Sequence, residues 1–182
     1  MDSMPKISIL NGLEHRCRRD ARIREYVWPE RIVWQSKRGV YNERALLQKQ
    51  AGQIMLDDSM LCELKRKNNE KGAVLLDFGK ELHGGVQIMN GSSLLRGENK
   101  PIRIRVRFGE SVGEAMSELA GDRNATNDHA IRDQTCLVPW LGSHEIGNIG
   151  FRFVRIDVED EDATLKLKGI RAVLLYRDIP YK

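Results

Sequence analysis

The sequence has only three cysteines, Cys17, Cys62 and Cys136, an odd number at wide spacing. That excludes a disulfide framework as well as the two-residue spacing of a zinc site or a redox pair. Cys136, within Thr135-Cys136-Leu137-Val138, reads instead as a small core residue. No apolar run approaches the roughly 18 to 20 residues that a helix needs to cross a bilayer, so no membrane partner is expected. Met1-Asp2-Ser3-Met4-Pro5 passes into charged residues without an apolar targeting core, which gives the expectation of a cytoplasmic chain. No repeat period and no low-complexity segment is present. At 182 residues the chain suits one domain, because a globule of this size buries roughly 70% of its unfolded surface, and two compact domains would be crowded.

Charge is unevenly spread. Residues 1–50 hold 11 Lys and Arg against 6 Asp and Glu, whereas the remainder holds 19 against 20. The basic excess lies around Arg16, Arg18, Arg19, Arg22 and Arg24. A basic arm can contact polyanions, but this one lacks both a recognition-helix pattern and interleaved stacking aromatics. It reads as a solvated or partner-docking arm, and no nucleic-acid partner is expected.

What the sequence does have is alternation. Ile102, Ile104, Val106 and Phe108 alternate with Arg103, Arg105 and Arg107, the two-residue period of a half-buried strand. The arginine face reads as solvent-facing or as paired to acids. Beyond a turn at Gly147 and Gly150, Phe151 to Val158 places Val154, Ile156 and Val158 on one face. Ala73 to Phe78 is a continuous apolar run of strand length, followed by a glycine-rich turn, Gly79 to Gly85, and a second strand from Val86 to Met89. Met60–Lys67 reads as a strand ending in the turn Asn68-Asn69-Glu70-Lys71-Gly72. Other strands are expected at 134–139, 163–168 and 170–176, with turns at Asn90-Gly91 and Glu159 to Asp162. Tyr41 to Gln53, with Asn42 as cap, suggests a short helix or a loop, and Ser111 with Glu114 forms a capping-box pattern ahead of Val112 to Leu119. Seven or eight short strands favour an all-β antiparallel sandwich. Residues 1–35 read as an extended arm and 36–182 as the sandwich. Trp28 and Trp34 bracket Pro29, either as anchors of that arm or as a sugar-stacking platform.

Several constellations are candidates for chemistry. Asn124, Thr126, Asn127, Asp128, His129, Arg132 and Asp133 form a polar loop whose side chains can bond its own backbone, hold calcium, or contact sugar. The Asp-x-Asp-x-Asp spacing of a calcium loop is absent. Glu110 and Glu114 invite comparison with the paired carboxylates of glycoside hydrolysis, but Glu114 is more simply a cap. His83 has no nearby nucleophile motif, and Gly79 to Gly85 leads into a strand rather than the helix a phosphate loop requires. No catalytic residue and no metal site is assigned.

Five strings carry a family likeness: Val27-Trp28-Pro29-Glu30-Arg31-Ile32-Val33-Trp34, Leu76 to Gly85, Arg107-Phe108-Gly109-Glu110-Ser111, Asn127 to Asp133, and Gly150-Phe151-Arg152-Phe153-Val154. In these the chain resembles the N-terminal β-sandwich region of bacterial α-L-rhamnosidases, the family 78 glycoside hydrolases, over roughly residues 26 to 180. The resemblance implies a jelly-roll domain of concanavalin-like shape standing ahead of an (α/α) barrel that hydrolyses terminal α-L-rhamnose, in parent enzymes that can be periplasmic or exported. It further implies that the barrel and its acids lie outside this chain, as in a truncated product, so no catalytic carboxylate carries over. The expected role is a non-catalytic domain docked on that barrel. The rival is a free-standing carbohydrate-binding module for rhamnose-containing glycans, with His83, Asn127, Asp128, His129 and Trp140 as its candidate contacts and calcium as its candidate cofactor.

Overall fold

A computed structural model describes residues 22–119 and 130–177, and most of that backbone is strand. In chain order the strands are β1 Arg22–Val27, β2 Arg31–Gln35, β3 Val40–Tyr41, β4 Cys62–Lys67, β5 Glu70–Lys71, β6 Ala73–Leu95, β7 Glu98–Asn99, β8 Ile102–Gly109, β9 Asp133–Val138, β10 Gly142–Val158 and β11 Ala163–Arg177. A short helix, α1 Val112–Met116, and 3₁₀ turns at Glu43–Leu47 and Ala130–Arg132 complete the described residues. Strand neighbours run β3-β4-β11-β6-β10-β8-β9, with β1 beside β11 and β2 beside β6, and the pairings are antiparallel. This is the all-β sandwich expected from the alternation.

The two layers share their longest strands. In the first layer, the start of β6 and the end of β10 pair with each other, flanked by β2, β8 and β9. In the second, the end of β6 and the start of β10 pair again, but the neighbours are now β11 and, beyond it, β4 and β1. The change of layer falls where the β6–β10 register slips, between Phe151 and Phe153 on one strand and Leu82 and Asp77 on the other. Gly79, at φ +78, takes up the extra length in a left-handed conformation that a residue with a Cβ avoids.

Burial follows the alternation. Ile102, Ile104, Val106 and Phe108 face the interior with Val74, Leu76, Val154 and Ile156, and meet Val86, Ile88, Leu165, Ile170 and Ala172 of the second layer. Phe151 sits edge-on to both Phe78 and Phe108, at centroid distances of 5.7 and 5.2 Å. Ala73 to Leu76 is apolar without interruption because both faces are covered: Leu75 points outward against Ala115, Met116 and Phe153, beneath α1. The arginine face of β8 is paired to acids. Arg103 meets Asp160, Arg105 meets Asp133 and Glu118, and Arg107 meets Glu118 and Asp157.

Several local expectations are corrected. Gly79 to Gly85 is not a turn, and Asn90-Gly91 does not end a strand: β6 runs unbroken for 23 residues. Its reversal comes at Arg96-Gly97, where φ values of 55 and 82 join Leu95 to Glu98 in the two-residue hairpin geometry that needs left-handed backbone. Gly147 and Gly150 lie inside β10, and the two closing strands are one, β11, with a register shift near Leu167. Asn42 stands at the N-cap position of the 3₁₀ turn Glu43–Leu47, but its side chain makes no capping bond; its backbone is left-handed, and its amide donates to the Met60 and Leu61 carbonyls. Ser111 does cap α1, its Oγ accepting from the Glu114 amide at 3.2 Å while the Glu114 carboxylate accepts from the Glu110 amide. In the segment read as an arm, β1 and β2 are both sewn into the sheet.

Candidate functional site

Three of the strings singled out in the sequence, Val27 to Trp34, Leu76 to Gly85 and Gly150 to Val154, build a corner. Asp77, 1% exposed, accepts from Arg31 Nε at 2.8 Å, from Arg152 through Nε at 2.8 Å and a second guanidinium nitrogen at 3.1 Å, and from the Gly79 amide at 2.8 Å. The Arg152 hydrogen bonds, with those from Gly79 and Arg31, hold its carboxyl down at about 2 against the cost of burial. A Cβ on Gly79 would fall into the Glu30 carboxyl group. With its oxygens engaged by donors, Asp77 ties β2, β6 and β10 together at the layer change and is not poised for proton transfer. Glu114 is buried as a helix cap, so the Glu110 and Glu114 pair is not an opposed acid and base. Burial pushes the Cys62 thiol up to about 12 and Cys136 up to about 11, which leaves both protonated and unreactive. Cys17 lies outside the described residues.

Of the residues picked from the sequence, His83 is exposed on β6 opposite Gly150. Trp140 follows β9, is exposed, and lies near Ser93, whose amide donates to its carbonyl at 2.8 Å. Gly142 pairs with Asn90, seven residues along β6 from His83, so about 23 Å of strand separates the two places and they do not form one site. Asn127, Asp128 and His129 lie outside the described residues. Among the described residues no group of three or more His, Cys, Asp or Glu side chains could hold a metal ion. Trp28 packs over Gly169 and Met89, and Trp34 lies partly exposed beneath the Arg155 guanidinium, 4.8 Å from its ring centroid.

A different place offers ligand geometry. On the outer face of the second layer a cleft of about 340 Å³ is lined by Arg24, Gly85, Val86, Glu145, Ile146, Gly147, Val173 and Leu175. Its floor is low because Gly85 has no side chain; a Cβ there would come within 2.5 Å of the Ile146 carbonyl oxygen. Val173 and Leu175 supply an apolar wall. Polar side chains join across the strands: Arg24 pairs with Glu145, Gln87 donates to Glu145 at 3.0 Å, and Arg171 donates to Gln87 at 2.8 Å while lying 3.5 Å from the Tyr26 ring centroid. His83 stands two residues before Gly85, about 7 Å along the same face of β6. Chemically, the cleft offers planar donors and acceptors above an apolar patch, the mixture that orients a small polyhydroxylated ligand.

Sequence reasoning missed Arg24, Gln87, Glu145 and Arg171. The Gly84-Gly85 doublet with Gly147 was the available signal, a place where neighbouring backbones approach closely.

No family model matches the sequence, and no curated protein matches it. Among solved structures the fold is similar to a rhamnosidase from Klebsiella oxytoca with rhamnose bound, with a TM-score of 0.56 and 16% identity over 85% of this chain. This chain spans only 29% of that enzyme's length. It is also similar to a chain of the complex of reduced XRCC1 with the DNA pol beta catalytic domain, at a TM-score of 0.50, 14% identity, 85% of this chain and 100% of that one. A Streptococcus pneumoniae fucose binding module aligns at a TM-score of 0.47 and 14% identity, over 89% of this chain and 97% of the module. These likenesses are of fold: one sandwich architecture occurs in a rhamnosidase and in a complex of XRCC1 with the DNA pol beta catalytic domain, so function must be argued from the site.

Proposed function

We propose that this chain is a non-catalytic, glycan-binding β-sandwich domain of an α-L-rhamnosidase-like glycoside hydrolase, and that the glycan sits in the cleft between β1 and β10. The cleft carries the reading: its volume admits one sugar residue, and its lining combines planar hydrogen-bonding groups with an apolar wall. The strings shared with family 78 and the fold likeness to the Klebsiella rhamnosidase support the parentage. Rhamnose-containing glycans are the proposed ligands, with calcium near Asn127, Asp128 and His129 as a proposed helper. Calorimetric titration of the 182-residue chain with rhamnose and rhamnogalacturonan fragments, with and without calcium, is expected to give binding that Gly85→Val removes. Silence toward every sugar would overturn it. An aryl α-L-rhamnoside assay is expected to show no turnover.

A second reading, docking on an (α/α) barrel, is favoured by one observation. The loop after the first 3₁₀ turn holds Met55, Leu56 and Met60 out at 52%, 81% and 70% exposure, although Lys168, itself buried, clamps the loop through Asp58 and the Gln53 carbonyl, each at 2.7 Å. A rigid loop with apolar tips suits a protein neighbour. Tighter association of the chain with a separately produced barrel, lost on Leu56→Asp, is the result that would favour it.

A further inference from the structure

Arg24 and Glu145 come from strands that are not neighbours. Between β1 and β10 lie β11 and β6, a lateral distance of three strand spacings, or about 14 Å. They also belong to different cross-strand rows. Arg24 is opposite Leu175, whereas Glu145 is opposite Gln87, and the row of Tyr26, Val173 and Gly85 runs between them. On a flat sheet their α-carbons would stand roughly 19 Å apart, farther than the two side chains reach. Their contact therefore records a sheet curled toward this face, and the pair spans the resulting trough above Gly85 and Val173. Both side chains are nearly half exposed, 46% and 44%, and such ion pairs are weak and readily screened.

We infer that the Arg24–Glu145 pair is a strap across the cleft, and that the ligand which parts it is a neutral sugar presenting two adjacent hydroxyls. This rests on the glycan-binding reading above. Each hydroxyl both donates and accepts, so an adjacent pair satisfies the separated partners, one accepting from the Arg24 guanidinium and the other donating to the Glu145 carboxylate. Gln87 holds Glu145 in place from the floor, and Arg171 holds Gln87. A sugar acid fits less well, since its carboxylate would face Glu145 across the trough.

The strap fixes an unusual sign. Salt weakens the closed form, while hydrogen bonds to a neutral ligand are little affected, so affinity should rise with ionic strength. Titration of the chain with rhamnose and with methyl galactoside, from about 0.02 to 0.5 M sodium chloride, is expected to tighten binding about two- to fivefold. Glu145→Gln keeps a hydrogen-bonding group and removes the ion pair, so it should lose the salt response. Galacturonic acid should bind more weakly than the neutral sugars. Neutral sugar binding that is flat or weakened by salt, or a Glu145→Gln variant that keeps the parent's response, overturns the strap and leaves glycan binding standing. If neither protein binds any sugar at any salt, the glycan-binding reading itself fails.

Discussion

Two arginine–carboxylate clusters in this fold differ in the burial of the carboxylate, 1% exposed for Asp77 and 44% for Glu145. At the corner, Asp77 is sealed from water and takes hydrogen bonds from two arginines and a backbone amide. Over the cleft, Arg24 and Glu145 meet in solvent, with Gln87 as a further partner. The chemical groups are the same, but their surroundings decide what they do. Stripping water from a charge makes its partners indispensable, because any group left unpaired then carries its full desolvation cost. Leaving the pair wet keeps it replaceable. The corner cluster therefore defines the fold, and the cleft cluster is free to exchange partners.

Substitutions can break this comparison. Asp77→Ala is among the largest expected effects, about 3 kcal/mol of stability in denaturant unfolding, because the hydrogen bonds from Arg31 and Arg152 to a buried carboxylate are lost and the Gly79 amide loses its acceptor. Phe151→Ala, which removes the ring packed on Phe78 and Phe108, should cost about as much, 3–5 kcal/mol, through the cavity it leaves. Acid gives the next effect. The Asp77 carboxyl is held at about 2 in the folded chain against an ordinary 3.8, so its contribution is fully present above about pH 4 and is withdrawn as pH falls through about 2. Of order 2 kcal/mol is involved, and unfolding at a series of pH values should show Asp77→Asn losing this part of the acid slope. Glu145→Gln is expected to change stability least, by less than about 1 kcal/mol. A change at Glu145 as large as that at Asp77 would erase the distinction between the two clusters.

Much of the fold could be read from local periods. The alternation of Ile102 to Phe108 with its arginines depends only on neighbours two residues apart, and the structure keeps it throughout β8. Glycines misled where they served long-range packing. Gly79, Gly84 and Gly85 look like punctuation, yet one relieves a bulge and the others let strands approach, and no local pattern separates these uses. The strings at Leu76 to Gly85 and Gly150 to Val154, picked out for their resemblance, turn out to hold the Asp77–Arg152 pair, so what they record is an architectural joint. The cleft was nearly illegible for a different reason. Arg24 and Glu145 are 121 positions apart, and only the strand order β1-β11-β6-β10 brings them together. His83 reached its border because it sits beside the glycine doublet. Trp140 did not, because it lies near the far end of β6.

β1 is hydrogen-bonded through its backbone to β11, and it contributes Arg24 and Tyr26 to the outer face while Val27 packs against the edge of the core. It is a detachable wall. Removing β1 would leave the shared strands β6 and β10 and the Asp77 corner in place while turning the trough into an open shelf; sugar affinity and thermal stability could then be altered separately by trimming a single strand.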